Sequence, residues 1–332
     1  MLFLNEKVVR AVLPMAHAIE AMKQAFGALT SGKALVPLRT NLPLLGKEAS
    51  CLVMPAFVED RKANVLAVKV VSVFPGNRAE GFPLIHGAVL LFEAARGRPV
   101  AVIDGASLTA IRTGAAAGLA TELLARPDSH TVVVFGSGAQ ARTLVEAVCT
   151  VRKVDRVWIC GRTVEQNPSI VQFIRELRGK GPLPSDMRLA SDHQEALAQA
   201  DIVCTATTSN IPVFSDSHLP VGVHVNAVGS HSPTAHEIPI ETVLRSKIVV
   251  DSRSAALEEA GELCLPIQQG LMSENHIHAE LGELVLKTIG GRTSEEEITL
   301  FKSVGVAVQD AAAGHLAYER ARELGLGHKV AW

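Results

Sequence analysis

Two features of this sequence have residue types and spacing that could do chemistry. The first is VVVFGSGAQA, in which Gly136, Gly138 and Ala141 match the pattern G-x-G-x-x-G/A. Gly136 permits a sharp turn, Gly138 removes side-chain bulk where a pyrophosphate would approach, and Ala141 allows close helix packing. Ser137, Ala139 and Gln140 complete a stretch whose open N–H groups would face anionic phosphates. An ordinary tight turn between strand and helix is the other reading. The second feature is Lys69, which interrupts the apolar run VLAVKVVSVF. A lysine in that setting must reach water, find an anion or bear the cost of desolvation.

The segment ICGRTVEQ bears on the choice of dinucleotide. An NAD site usually ends its second strand in Asp or Glu, which accepts hydrogen bonds from the adenosine ribose. Arg162 and Thr163 stand there instead, and Glu165 arrives later. Arg162 could pair with a 2′-phosphate while Thr163 donates a hydroxyl. NADP(H) is therefore the preferred cofactor and NAD(H) the possible one, unless Arg162 is simply a solvated residue opening a loop.

The elements that must position these residues can be traced along the chain. Strands are predicted at Thr131–Phe135, Arg156–Cys160, Asp201–Thr205, Val223–Val228 and Lys247–Asp251, with helices between them, including Phe173–Leu177 and His193–Gln199. That alternation predicts a parallel, doubly wound sheet. Earlier, Ile19, Met22, Phe26 and Leu29 recur at helical spacing from Pro14 to about Gly32. ASCLVMPAFV, NVLAVKVVSVFP, HGAVLLFEAARG and RPVAVIDG read as strands, so residues 1–120 are expected to form an α+β domain. A helical SLTAIRTGAAAGLATELLA links the two parts. The last helix, with apolar Val308, Ala312, Leu316 and Ala317, could return to the N-terminal domain.

Composition excludes several classes of function. The 332 residues suggest two domains, and the net charge of -2 with mixed signs offers no nucleic-acid footprint. There is no polybasic membrane tail, and the apolar runs are too short for a membrane span. Cys51, Cys149, Cys160, Cys204 and Cys264 are scattered without a C-x-x-C pair, which argues against a disulfide scaffold or structural zinc and for a reducing compartment. MLFLNEKVV lacks the apolar core of a signal peptide, and a cytoplasmic protein is expected. HIHAE, with His276, His278 and Glu280, alternates like a metal-binding strand, but no metal is expected. His86 could face a pocket, a loop or an interface. No Ser-His-Asp or Cys-His arrangement for nucleophilic hydrolysis is evident.

Over essentially its whole length the chain resembles the ornithine cyclodeaminase/μ-crystallin family. The segments that carry the resemblance are PLRTNL, VLAVKVVSV, AVIDGASLTAIRTGAAAGLATELLARPDSHTVVVFGSGAQA, NAVGSHSPTAHEI, AELGEL and SVGVAVQDAAAGHLA. The resemblance implies an α/β chain with a Rossmann-type NAD(P)-binding domain over 121–304. A substrate-binding and dimerisation domain would be built from 1–120 with about 305–332. It also implies a homodimer, an active site between the domains, and Arg39, Lys69 and Arg112 as ligands of a substrate carboxylate. Asp310 falls at a recurrent family position that could orient substrate, water or cofactor. Thr113 and Val228 join the cofactor-binding set.

His231 is the informative departure. In cyclodeaminases and the related alanine dehydrogenases that position is an Asp that helps handle the substrate's amino group; ketimine-reducing relatives also lack an acid there. His231 could move a proton near neutral pH, shape the pocket on the nicotinamide side, or lie away from substrate. The resemblance thus favours NADPH-dependent reduction of a small cyclic imino acid, with Lys69 assisting protonation and His231 the weaker alternative. An acyclic amino-acid dehydrogenase or imino-acid reductase of the alanine or iminosuccinate type, an ornithine cyclodeaminase and a non-enzymatic NADP(H)-binding protein are the rival readings.

Overall fold

The computed structural model describes residues 1–45, 49–59, 64–161 and 168–331. The chain divides into two compact units, Met1–Arg112 with Val306–Trp332, and Thr113–Gly305.

In the first unit, β1 (Leu2–Leu4), β2 (Ala34–Leu35), β3 (Thr40–Pro43), β4 (Ser50–Val58), β5 (Val65–Val73), β6 (Ile85–Glu93) and β7 (Arg98–Asp104) form one sheet with a terminal strand, His328–Lys329. The order runs terminal strand, β1, β7, β6, β5, β4, β2, and β3 also pairs with β4. Strands β4 to β7 pair antiparallel. Successive side chains of a strand alternate between faces, so Val65, Ala67 and Lys69 of β5 share the buried face. The C-terminal helix Ala307–Glu323 packs there. Gly314 of this helix faces Leu91, Ile103 and Val89, which an added Cβ would meet at an ordinary 3.4–3.7 Å. The helix Met15–Thr30, buried through Ile19, Met22 and Phe26, rests against it.

The second unit holds β8 (Thr131–Phe135), β9 (Arg156–Cys160), β10 (Asp186–Leu189), β11 (Ile202–Thr205), β12 (His224–Ala227), β13 (Lys247–Val250), β14 (Ile277–Glu280) and β15 (Thr299–Lys302). All are parallel, in the order β10-β9-β8-β11-β12-β15-β13-β14. Every residue of β8, β11, β12 and β15 is buried, as expected for a sheet covered on both faces. Val132, Val134 and Ile159 share one apolar cluster with Leu144 and Val148 of the helix Ala139–Val151 and with Phe173 and Leu177 of Pro168–Leu177. The first five strands follow Rossmann topology, and the switch point lies between β8 and β11.

Sequence patterning did not anticipate β1, the helix Glu6–Val12, β10 or β15. β10 (DMRL) and β15 (TLFK) carry only two apolar residues each, too few to read as an apolar run. No helix among the described residues is long and apolar enough to cross a membrane.

Candidate active site

The glycine turn joins β8 to the helix Ala139–Val151. Gly136 has φ +115°, its N–H donates to Cys160 O at 3.1 Å, and a Cβ there would lie 2.5 Å from Ala206 O. Only glycine fits. Gly138, the N-cap, is extended and caps nothing with a side chain; a Cβ added to it would meet nothing within 4 Å. The first turn of a 13-residue helix therefore presents open N–H groups beneath clear space, a fit to a dinucleotide's diphosphate. Ala141 is fully buried and seats the helix on the sheet. Gly114 lets the helix Gly105–Leu124 approach this one closely, since a Cβ there would lie 2.6 Å from Thr143 O. Thr113 is buried, Ser137 and Gln140 are half-buried and Ala139 is exposed. The N–H of Val228 donates to Thr205 O at 3.1 Å. Arg162 and Thr163 lie outside the described residues.

Gly136→Ala is expected to weaken dinucleotide binding at least about tenfold, a loss of about 1.4 kcal/mol, and to lower Tm. The forced φ alone costs about 1–3 kcal/mol. Calorimetric titration with NADH and NADPH, alongside thermal melts, checks both.

The first unit brings two of the expected anion ligands, Lys69 and Arg112, onto one carboxylate. Lys69 Nζ lies 2.7 Å from Asp310 Oδ2, with both side chains at most 3% exposed. Arg112 Nε donates to Asp310 Oδ1 at 3.1 Å, and Arg112 Nη1 donates to Gln309 Oε1 at 2.5 Å. Arg112 Nη2 takes part in neither contact, and an ammonium has three donors, so both cations keep donors for a ligand. Half-buried Arg39 is close enough for its charge to act on Lys69. Burial lowers the Lys69 pKa most; Asp310 opposes it, Arg112 and Arg39 add to it, and the net value is about 8. Burial pushes the Asp310 carboxyl up, but Arg112 and Lys69 outweigh it and hold the group below its usual range. Two cations on one carboxylate leave positive charge, the condition for capturing a small anion.

His231 belongs to the other unit, on the exposed loop after β12. His86 is exposed in β6, opposite Ser72 of β5. The HIHAE residues make structural bonds: His276 Nδ1 accepts from Ser273 N, His278 Nε2 pairs with Gly290 O, and Glu280 accepts from Arg253 N. The described residues contain no cluster of three or more His, Cys, Asp or Glu that could hold a metal. Burial pushes the Cys149, Cys160 and Cys204 thiols up to about 12, which keeps them protonated and poorly nucleophilic.

Sequence reasoning missed Gln309, whose Oε1 also accepts from Val306 N at 3.1 Å and so holds Arg112 against the start of the C-terminal helix. It also missed Glu237, Glu262 and Lys302, all fully buried in the second unit. One signal was available: Lys302 ends TLFK as Lys69 interrupts VLAVKVVSV.

Comparison with known proteins decides the family. The model of the ornithine cyclodeaminase/mu-crystallin family matches residues 1–325. The chain belongs to that family. Within it, a Bacillus cereus protein named Delta(1)-pyrroline-2-carboxylate reductase is 40% identical over 331 residues, covering 99% of each chain. The Thermococcus litoralis Delta(1)-pyrroline-2-carboxylate reductase, solved with NADH and L-proline, superposes with a TM-score of 0.93 at 40% identity, over 99% of this chain and 100% of that one. An archaeal alanine dehydrogenase dimer with bound NAD gives 0.91 at 30% identity, over 100% and 99%. The Rossmann-type second unit and its glycine turn are thus framed by family members solved with nicotinamide dinucleotides.

Proposed function

We propose that this chain is a nicotinamide-dependent oxidoreductase that reduces a small cyclic imino acid, such as Δ1-pyrroline-2-carboxylate or Δ1-piperideine-2-carboxylate, to the cyclic amino acid. The observation that carries this reading is the buried Lys69–Asp310–Arg112 arrangement, where two paired cations keep donors for one carboxylate. The B. cereus and T. litoralis relatives support it. In this reading Met1–Arg112 with Val306–Trp332 binds substrate and dimerises, and Thr113–Gly305 binds the dinucleotide. The dimeric archaeal relative supports self-association.

Held at the turn of Gly136 and Gly138, NAD(P)H would supply a hydride for the C=N carbon. Arg112 and Arg39 grip the substrate carboxylate, and Arg112 is kept in one plane by Asp310 and Gln309. Lys69 adds charge to that grip and holds a proton at Nζ for the imine nitrogen, which becomes the amine. Asp310 acts through the two cations by fixing where they point. Orientation of this kind accounts for a large part of enzymatic acceleration. His231 is the second proton-carrying candidate.

The acyclic alternative has support of its own, because the alanine dehydrogenase relative covers the whole chain. A substrate panel separates the two readings. Oxidation of NADPH and NADH is followed with pyrroline-2-carboxylate, with piperideine-2-carboxylate, and with pyruvate plus ammonia. Rapid ammonia-independent turnover of a cyclic substrate is expected; a strict need for ammonia and an open-chain keto acid would overturn the proposal. NADPH is expected to be preferred through Arg162 and Thr163. Arg162→Ala should then weaken NADPH binding selectively, by about tenfold for one charge-assisted contact, and equal loss of both cofactors would reject that contact.

A further inference from the structure

Behind the strand ends of the second unit lies a buried ionic network that the reaction as described does not use. Glu237 is fully buried and accepts three bonds. Its Oε1 takes the N–H of Thr207 at 2.6 Å. Its Oε2 takes the N–H of Gly229 at 2.7 Å and the hydroxyl of Thr205 at 3.2 Å. The N–H of Glu237 donates to Glu262 Oε1 at 3.0 Å. The other Glu262 oxygen lies 2.8 Å from Lys302 Nζ, and Lys302 donates to Ser230 O at 2.7 Å.

These bonds converge on two short stretches, Thr205–Thr207 at the carboxyl end of β11 and Gly229–Ser230 after β12. In a doubly wound sheet, ligands bind outside the carboxyl ends of the strands, and both stretches lie there. The first also meets the glycine turn: Ala206 N–H donates to Phe135 O at 2.9 Å, and Ala206 O is the atom that a Cβ at Gly136 would strike. Gly229 is required by the same network, since a Cβ there would lie 2.2 Å from Glu237 Oε2. Ser230 Oγ donates to Ala235 O at 2.5 Å, which closes the base of the loop that carries His231.

We propose that Glu237, backed by the Glu262–Lys302 pair, is a positioning residue that locks the two strand-end loops into a preformed wall for the nicotinamide half of the dinucleotide. The chemistry requires a carboxylate. Donors approach both oxygens, so a glutamine would turn an NH2 toward either Thr207 N–H or the Gly229–Thr205 side. An unmade bond at a fully buried site is expensive and would release one loop. Burial raises the Glu237 pKa, and the bonds from Thr207 and the charge of Lys302 oppose that rise.

The proposal rests on the nicotinamide-dependent reading above, and the test separates the two. Glu237→Gln is compared with wild type by calorimetric titration of NADH, NADPH and ADP-ribose, which lacks nicotinamide, and by kcat and KM with the cyclic imino acid. The variant is expected to bind the dinucleotides about tenfold more weakly and to keep ADP-ribose affinity within about twofold. Its kcat should fall by about 100-fold, as for a misplaced reactant, with little change in KM for the imino acid. Equal loss of ADP-ribose and dinucleotide, or no loss of either, would overturn the proposal. If Glu237→Gln does not fold, Gly229→Ala displaces the same carboxylate without removing a charge, and the same selective pattern is required of it. Failure of wild type to bind NADH or NADPH would instead overturn the functional reading.

Discussion

Lys69→Met is expected to lower kcat/KM for cyclic imino-acid reduction by about 10³-fold, the middle of the range for losing a positioned proton donor, while dinucleotide affinity stays unchanged. The side chain is 3% exposed, so bulk water cannot readily take over its proton. Its pKa of about 8 suits proton transfer near neutral pH better than an ordinary lysine's. The sign of the pH dependence follows. Reduction needs the ammonium form, so kcat/KM should be flat below the Lys69 pKa and fall as pH rises through about 8. In the methionine variant that falling limb should vanish. Lys69→Arg keeps the charge opposite Asp310 but holds its proton too tightly to give it up, and it should restore substrate affinity more than turnover. A methionine variant within about tenfold of wild type, a loss too small for a general acid, or a pH limb that survives the substitution, would exclude Lys69 as the proton source.

Arg112→Ala should cut kcat/KM for the same reaction by about 30-fold, the equivalent of about 2 kcal/mol for one charge-assisted contact. The loss should fall mainly on KM, because the carboxylate is gripped in both ground and transition states. Arg112→Lys should not rescue it. An ammonium cannot reach Asp310, Gln309 and a ligand carboxylate at once, whereas the guanidinium addresses Asp310 through Nε and Gln309 through Nη1 with Nη2 left for a third partner. Steady-state kinetics on variants confirmed to bind cofactor would check this. Near-normal reduction by Arg112→Ala would move the carboxylate elsewhere and leave the oxidoreductase reading intact.

Much of the second unit was legible in sequence because its determinants are contiguous. Gly136, Gly138 and Ala141 act within one turn, where φ, clear space and helix seating are properties of neighbouring residues. Strands β8, β9, β11, β12 and β13 were visible as apolar runs for the same reason. β10 (DMRL) and β15 (TLFK), with two apolar residues each, were not, and nothing local says that β15 inserts between β12 and β13. That order is set by which apolar surfaces cover each other, a property of the assembled sheet. In the first unit, sequence by itself singled out Lys69 as a cation that must reach water, find an anion or bear desolvation, and family resemblance made it an anion ligand and added Arg39, Arg112 and Asp310. Only the tertiary structure decided that one carboxylate serves both Lys69 and Arg112, the latter 198 residues away in the chain, with Gln309 as the third member. It likewise decided that Lys302 and Glu262 pair at zero exposure beneath the loop of His231. The physical reason is that burial and charge pairing belong to a face and its covering helix. The alternation of β5 states that Lys69 turns to one side, but what waits on that side depends on where the last helix of the chain comes to rest.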